Sequence, residues 1–363
     1  MTGRQIQKAG GNSAQYQAQT IIQMSGITEE RVHDIVNEEC SKVAQTCILE
    51  SGLIVERRLG DFKSELYGSI AGRGQLLSSL QEPSCVNTLV KAAKAATRTD
   101  EARDQKLLAE LLVKRFETPN DRHVATGVSQ AIDIVEFLTD EELTGLTVYF
   151  AVNQYAPTSP SISDGFKVMD DLFGSLALGA LPTGEDWIEN LDIHNALRII
   201  PFSGLRPLAD FYFDSLSGYT TCGVKVGSDQ EREALRILED AGIPYDIFVE
   251  HELNPGYKRL SLRRIDEFDQ VSIICLIDGT PHVSSLSDKQ SEALRNVADI
   301  CKNENYHASI RENLDKKLHE YPSITKVGDW WESIPSAPRI TAVGRCLASA
   351  NARRINPSLP DIN

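Results

Sequence analysis

Between Val32 and Ile70 the large apolar residues return at spacings of mostly three, four and seven: Val32, Val36, Val43, Cys47, Val55, Leu59, Phe62, Leu66 and Ile70. A stripe with that period fits one face of an α-helix and cannot be seated in a strand, whose faces alternate every second residue. Thr28 followed by Glu29 and Glu30 gives the stretch a hydroxyl N-cap and carboxylates at the positive end of the helix dipole. The pattern predicts one long amphipathic helix or a helix pair, with Ser51-Gly52 as the interruption. Run straight from Thr28 to Ser69 it would span roughly 60 Å. Its single stripe suits a coiled coil between copies as well as packing on its own domain. Gly72 and Gly74 lack the further glycine, the lysine and the preceding strand of a phosphate loop, so they read as a helix C-cap.

Ahead of this stretch lies a glutamine-studded tract, residues 1–26. Gly10-Gly11-Asn12-Ser13 forms a turn signal. Beyond it Ala14, Tyr16, Ala18, Thr20 and Ile22 alternate with Gln15, Gln17, Gln19, Ile21 and Gln23, while Ile6 stands between Gln5 and Gln7. The expectation is two short strands around a bend, a β-arm. So small an apolar surface cannot offset an ordering cost of about 1–2 kcal/mol per residue, and an isolated hairpin is marginal. Identical strands stacked in register would let each glutamine amide bond its copy above and below. Gln5, Gln7, Asn12, Gln15, Gln17, Gln19 and Ile22 are therefore the candidate self-assembly residues. The alternative is a polar arm that orders on its own domain.

The run Ala9-Gly10-Gly11-Asn12-Ser13, with Gln15, Gln17 and Ala18 following, resembles the opening of an uncharacterised bacterial family named by locus tags. The resemblance extends to Asn254-Pro255-Gly256-Tyr257, to the segment Trp330-Trp331-Glu332-Ser333-Ile334-Pro335 and to the tail near Asn351. The same tract is similar, through its Gln/Gly/Asn pattern, to the short amyloid-type signalling motifs of bacterial and fungal immune effectors. Neither resemblance implies a catalytic residue. Together they imply a role in stress or anti-phage defence.

Composition narrows the function classes. An apolar content of 41% with 25% charged residues is that of a globular chain. The net charge of −15 disfavours non-specific nucleic-acid binding, which needs a basic face. Cys40, Cys47, Cys85, Cys222, Cys275, Cys301 and Cys346 are scattered and form no CxxC pair, so they read as buried thiols in a reducing compartment. No signal peptide or membrane-spanning run is visible, and the expected location is cytoplasmic.

Punctuation along the remaining chain predicts a mainly α protein with a small α+β part. The expected organisation is the arm (1–26), the long helix and a helical linker (27–117), a helical bundle domain (118–218), a small wing-like α/β region (219–285) and C-terminal helices (286–363). Pro83 opens a helix to Ala96, Glu101–Glu117 and Ala125–Leu138 are helical, and Ser287 caps another from Asp288. Thr220–Val226, Tyr245–Leu253, Tyr257–Leu262 and Val271–Ile277 are strand-like, with a tight turn at Asn254-Pro255-Gly256. Lys258, Arg259, Arg263 and Arg264 would decorate a wing, the one feature favouring a nucleic-acid regulator. Asp170-Asp171 reads as a solvated edge, and Trp330-Trp331 as a pair split between core and surface.

Catalytic signatures are missing: no Walker A, HExxH, G-x-S-x-G or full dinucleotide fingerprint occurs. Asp278-Gly279-Thr280 is similar to the second half of the haloacid-dehalogenase motif, yet Leu276 stands where its nucleophile would be. Glu250-His251-Glu252 on a strand would put both carboxylates on one face, and with Asp192 and His194 this is the basis for a rival hydrolase or nucleotide-processing reading. No catalytic or metal residue and no cofactor is expected. The expected protein is a non-enzymatic, self-associating scaffold or sensor with an unknown protein partner and no membrane contact, and nucleic acid is disfavoured as a partner.

Overall fold

The computed structural model describes residues 29–201, 203–265, 272–277, 280–360 and 362. The N-terminal tract with its candidate assembly residues, and Asp278-Gly279, lie outside the described residues. The protein is mainly α with a few small antiparallel strands, as its periodicity implied. The chain divides into two compact units that interleave along the sequence. Among the described residues, one takes those within 1–139, 191–198 and 340–363, the other those within 140–190 and 199–339.

The first unit is helical. Its longest element runs from Glu29 to Ile70, but it is not one straight helix. The imidazole of His33 stacks on the ring of Tyr67 with centroids 4.0 Å apart, and Lys63 Nζ donates to Asn37 Oδ1 at 3.4 Å. In a straight helix those pairs would be about 51 and 39 Å apart. The element therefore folds back as a hairpin with both pairs centred on residue 50, next to the Ser51-Gly52 interruption. This replaces the 60 Å rod with the helix pair. Of the stripe, Val32, Val36, Val43, Val55, Leu59, Phe62, Leu66 and Ile70 are buried within the unit, as is Cys40, while the Cys47 side chain lies outside the described residues; the hairpin packs on the helices Pro83–Ala96 and Ala102–Glu117. Among the described residues these positions face the interior of their own unit.

Ala102–Glu117 is buried over most of its length, with Lys106 and Glu110 on its more exposed edge. The C-terminal helix Ala342–Ile355 packs against it and against Arg122–Ile134. Arg353 fixes that contact through a two-pronged bond to Glu117, at 2.7 and 3.1 Å. Gly344 is required here, since a Cβ would come within 2.1 Å of the Ala196 carbonyl oxygen. Gly72 takes φ +73° and ends the hairpin as a left-handed C-cap.

In the second unit Pro322–Ser333 packs on Ile162–Leu176. Asp170 is no solvated edge: its Oδ1 accepts from the amides of Ser323 and Ile324 at 2.6 and 3.0 Å, capping the partner helix. Both tryptophans are buried, which corrects the expected split. Trp330 Nε1 donates to the Pro182 carbonyl and Trp331 Nε1 to that of Arg206, each at 2.8 Å. Adjacent helical positions can both be buried because the helix is covered on two sides, and each indole then needs an acceptor.

The sheet of this unit is antiparallel, in the order Val224–Lys225, Tyr257–Leu260, Phe248–Glu250. Phe248 faces Leu260 and Val249 faces Arg259 across the turn. The helices Asp229–Asp240 and Asp288–Ile300 bury Val224, Ala234, Leu238, Leu260, Leu294 and Val297 in one core. A separate hairpin pairs Ser272–Ile277 with Thr280–Ser285.

Candidate functional site

The folded-back helix places its turn where the apolar stripe stops. Val55 is buried, but the two residues between it and Gly52 are not: Leu53 is 85% exposed and Ile54 50%. The descending half is anchored below them, with Arg58 Nη1 donating to the Thr97 carbonyl at 2.8 Å and Ser69 Oγ to Glu110 at 3.0 Å. Between the two halves lies an open cavity of about 360 Å³, lined by Cys40, Ala44, Glu56, Leu59 and Lys63 among others. Burial holds the Cys40 thiol up at about 11, so it is no nucleophile there. The result is an apolar pair on the end of a rigidly based hairpin. Sequence reading passed over Leu53 and Ile54, although their position off the stripe and beside Gly52 was the available signal.

The residues proposed for hydrolysis are employed elsewhere. Asp192 and His194 belong to the first unit and Glu250 and Glu252 to the second. Asp192 pairs with Arg198 at 3.2 Å, and His194 stacks on Phe137 with centroids 5.3 Å apart. The strand ends at Glu250, so the expected face shared by Glu250 and Glu252 does not form. The chain turns, and Glu252 accepts from the amides of Ile162 and Ser163 at 2.8 and 2.9 Å and from the Ser163 hydroxyl. Burial pushes its carboxyl up, but these donors outweigh that and leave it below the usual carboxylate range.

His251 is buried between them. Its Nε2 lies 2.6 Å from the Thr221 carbonyl and its Nδ1 accepts from the Leu253 amide at 3.2 Å. Desolvation lowers its pKa to about 4, against the pull of the Thr221 carbonyl, so the imidazole is neutral at pH 7. Among the described residues no three His, Cys, Asp or Glu side chains converge as metal ligands would.

The wing-like basic row is also redistributed. Arg259 is fully buried, donating to the carbonyls of Leu260 and Pro160 at 2.9 and 2.5 Å with its guanidinium 5.1 Å from the centre of the Tyr219 ring. Lys258 pairs with Glu231 at 2.9 Å. Of the four expected wing cations, these two are thus committed to the fold.

A family model for uncharacterised-like proteins matches residues 17–213, more than half of the chain. The chain belongs to that family. The family's segment takes in the whole hairpin, including Leu53 and Ile54, and the helices it packs on. It begins at Gln17, inside the glutamine tract, and stops before Glu252, His251 and Arg259. No curated protein and no solved structure matches the chain. Among the described residues of this family member, no helix is long and apolar enough to cross a membrane.

Proposed function

We propose that the chain is a non-enzymatic, cytoplasmic bacterial scaffold or sensor that associates with copies of itself, in stress or anti-phage defence. Association uses the glutamine tract and the exposed tip of the helical hairpin. The observation that carries the reading is the contrast along one element: eight stripe positions and Cys40 are buried inside the unit, while Leu53 and Ile54 stand in solvent. Exposing about half to nearly all of two aliphatic side chains forgoes roughly 1–3 kcal/mol each. A second copy recovers that without a specialised partner, because a two-fold contact sets each pair against its own duplicate. The glutamine tract enters the proposal on its sequence, through amide ladders between identical strands.

Further support comes from the polar groups. Asp192 is paired with Arg198, His194 stacks on Phe137, and Glu252 and His251 are each held by hydrogen bonds of the fold.

Deleting residues 1–26 tests the part played by the tract. Light scattering on the truncated and full chains is expected to give a lower mass for the truncated one, and equal masses would refute it.

A further inference from the structure

The second unit contains a cavity of about 160 Å³ whose lining includes Asn153, Phe211, Tyr212, Ser215, Arg263 and Arg264. Its construction follows from two close approaches. Gly218 donates its amide to the Arg263 carbonyl at 2.7 Å, and a Cβ on Gly218 would lie 2.1 Å from the Leu262 carbonyl oxygen, so only glycine lets this strand of chain come so near. The amide of Ile265 then donates to Ser217 Oγ at 3.3 Å. These bonds press the Arg263-Arg264 segment onto the end of the helix Leu208–Ser215, which carries Tyr212 and Ser215.

Two polar atoms in this lining are unused. Tyr212 is almost wholly buried, and its Oη has no hydrogen-bond partner among the described residues; the same holds for the buried Ser215 Oγ. A buried hydroxyl left without a partner costs about 1–3 kcal/mol, and native proteins rarely tolerate two in one place. Burial also drives the Tyr212 pKa far upward, so the phenol keeps its proton and can donate it. Arg263 and Arg264 have interactions of their own, yet both also contribute to the wall. Arginines and hydroxyl donors in one lining suit the oxygens of a planar or tetrahedral anion. A dry apolar cavity of similar volume takes up a molecule the size of benzene.

We propose that this cavity binds a small oxyanion, a phosphate or carboxylate group carried on little more than its own atoms, with Tyr212 and Ser215 donating to it and the Arg263-Arg264 segment supplying the charge. The proposal goes beyond self-association and does not depend on it.

The test uses the full chain, titrated with inorganic phosphate and separately with malonate, at fixed ionic strength held with sodium chloride. Melting temperature and calorimetric heat are both read. A saturable rise with either anion supports the site, and the anion that saturates first identifies the oxygen geometry it is built for. Tyr212→Phe and Ser215→Ala should each weaken that response at least tenfold. Neither should lower the melting temperature of the anion-free protein, because each removes a hydroxyl that bonds nothing. Absence of a saturable response to both anions overturns the proposal. So does an unchanged response in a folded Tyr212→Phe or Ser215→Ala protein.

Discussion

The ring of Tyr67 lies parallel on the imidazole of His33, at a centroid distance of 4.0 Å, although 34 residues separate them. That contact turns the longest apolar stripe of the sequence inward on itself. It also fixes which residues are left at the turn. Nitroxide side chains introduced as non-canonical amino acids at Asn37 and Lys63 should give a dipolar distance below about 25 Å, whereas a straight helix would hold the two backbones about 39 Å apart. Distances near the longer value would remove the hairpin.

Glu252 caps a helix that begins 90 residues earlier, at Ile162. Replacing Glu252 with Gln keeps one acceptor oxygen but loses the charge at the positive end of the helix, and is expected to cost about 1 kcal/mol in chemical denaturation. A change within experimental error would mean that the two amides are equally well served by solvent.

Acid stability provides a second measure of the same region. His251 has a pKa of about 4 in the folded chain against 6.5 when unfolded. The unfolded chain therefore binds the proton first as pH falls. The stability contributed by the neutral imidazole is complete above about pH 6.5 and is lost progressively down to pH 4, on the order of 3 kcal/mol in all. The groups acting on it are Arg259, which disfavours protonation, and the Thr221 carbonyl and Glu252, which favour it. Denaturation midpoints measured between pH 7 and 4 should fall in the wild type, and the fall should flatten in His251→Gln.

Much of the local structure was legible in single residues. Pro83 opens the helix Pro83–Ala96 as expected, and Ser287 forms a full capping box with Gln290 at the head of Asp288–Ile300. Gly72 ends the hairpin with a positive φ. These signals act within a few residues and need no tertiary context.

What escaped was decided at long range. Asp170 and Glu252 are capping residues, but the first amides they cap lie 153 and 90 residues away in the chain. Nothing near either carboxylate in sequence announces that. Arg259 alternates correctly for an exposed strand position, and only the seating of Tyr219 and the Pro160 carbonyl beside it explains its burial. The apolar stripe up to Ile70 was visible, while the exposure of Leu53 and Ile54 depended on where the helix turned. Of the candidate association surface, sequence therefore supplied the element and the break at Ser51-Gly52, and the fold supplied the tip.

The most direct test of the account is the sedimentation mass of the full chain carrying Leu53→Lys and Ile54→Lys. Both side chains are exposed, so the melting temperature should stay within about 2 °C of wild type, as for surface changes generally. The account predicts that the double variant sediments as a smaller species than wild type at the same concentration. An undiminished mass in a folded double variant would contradict it.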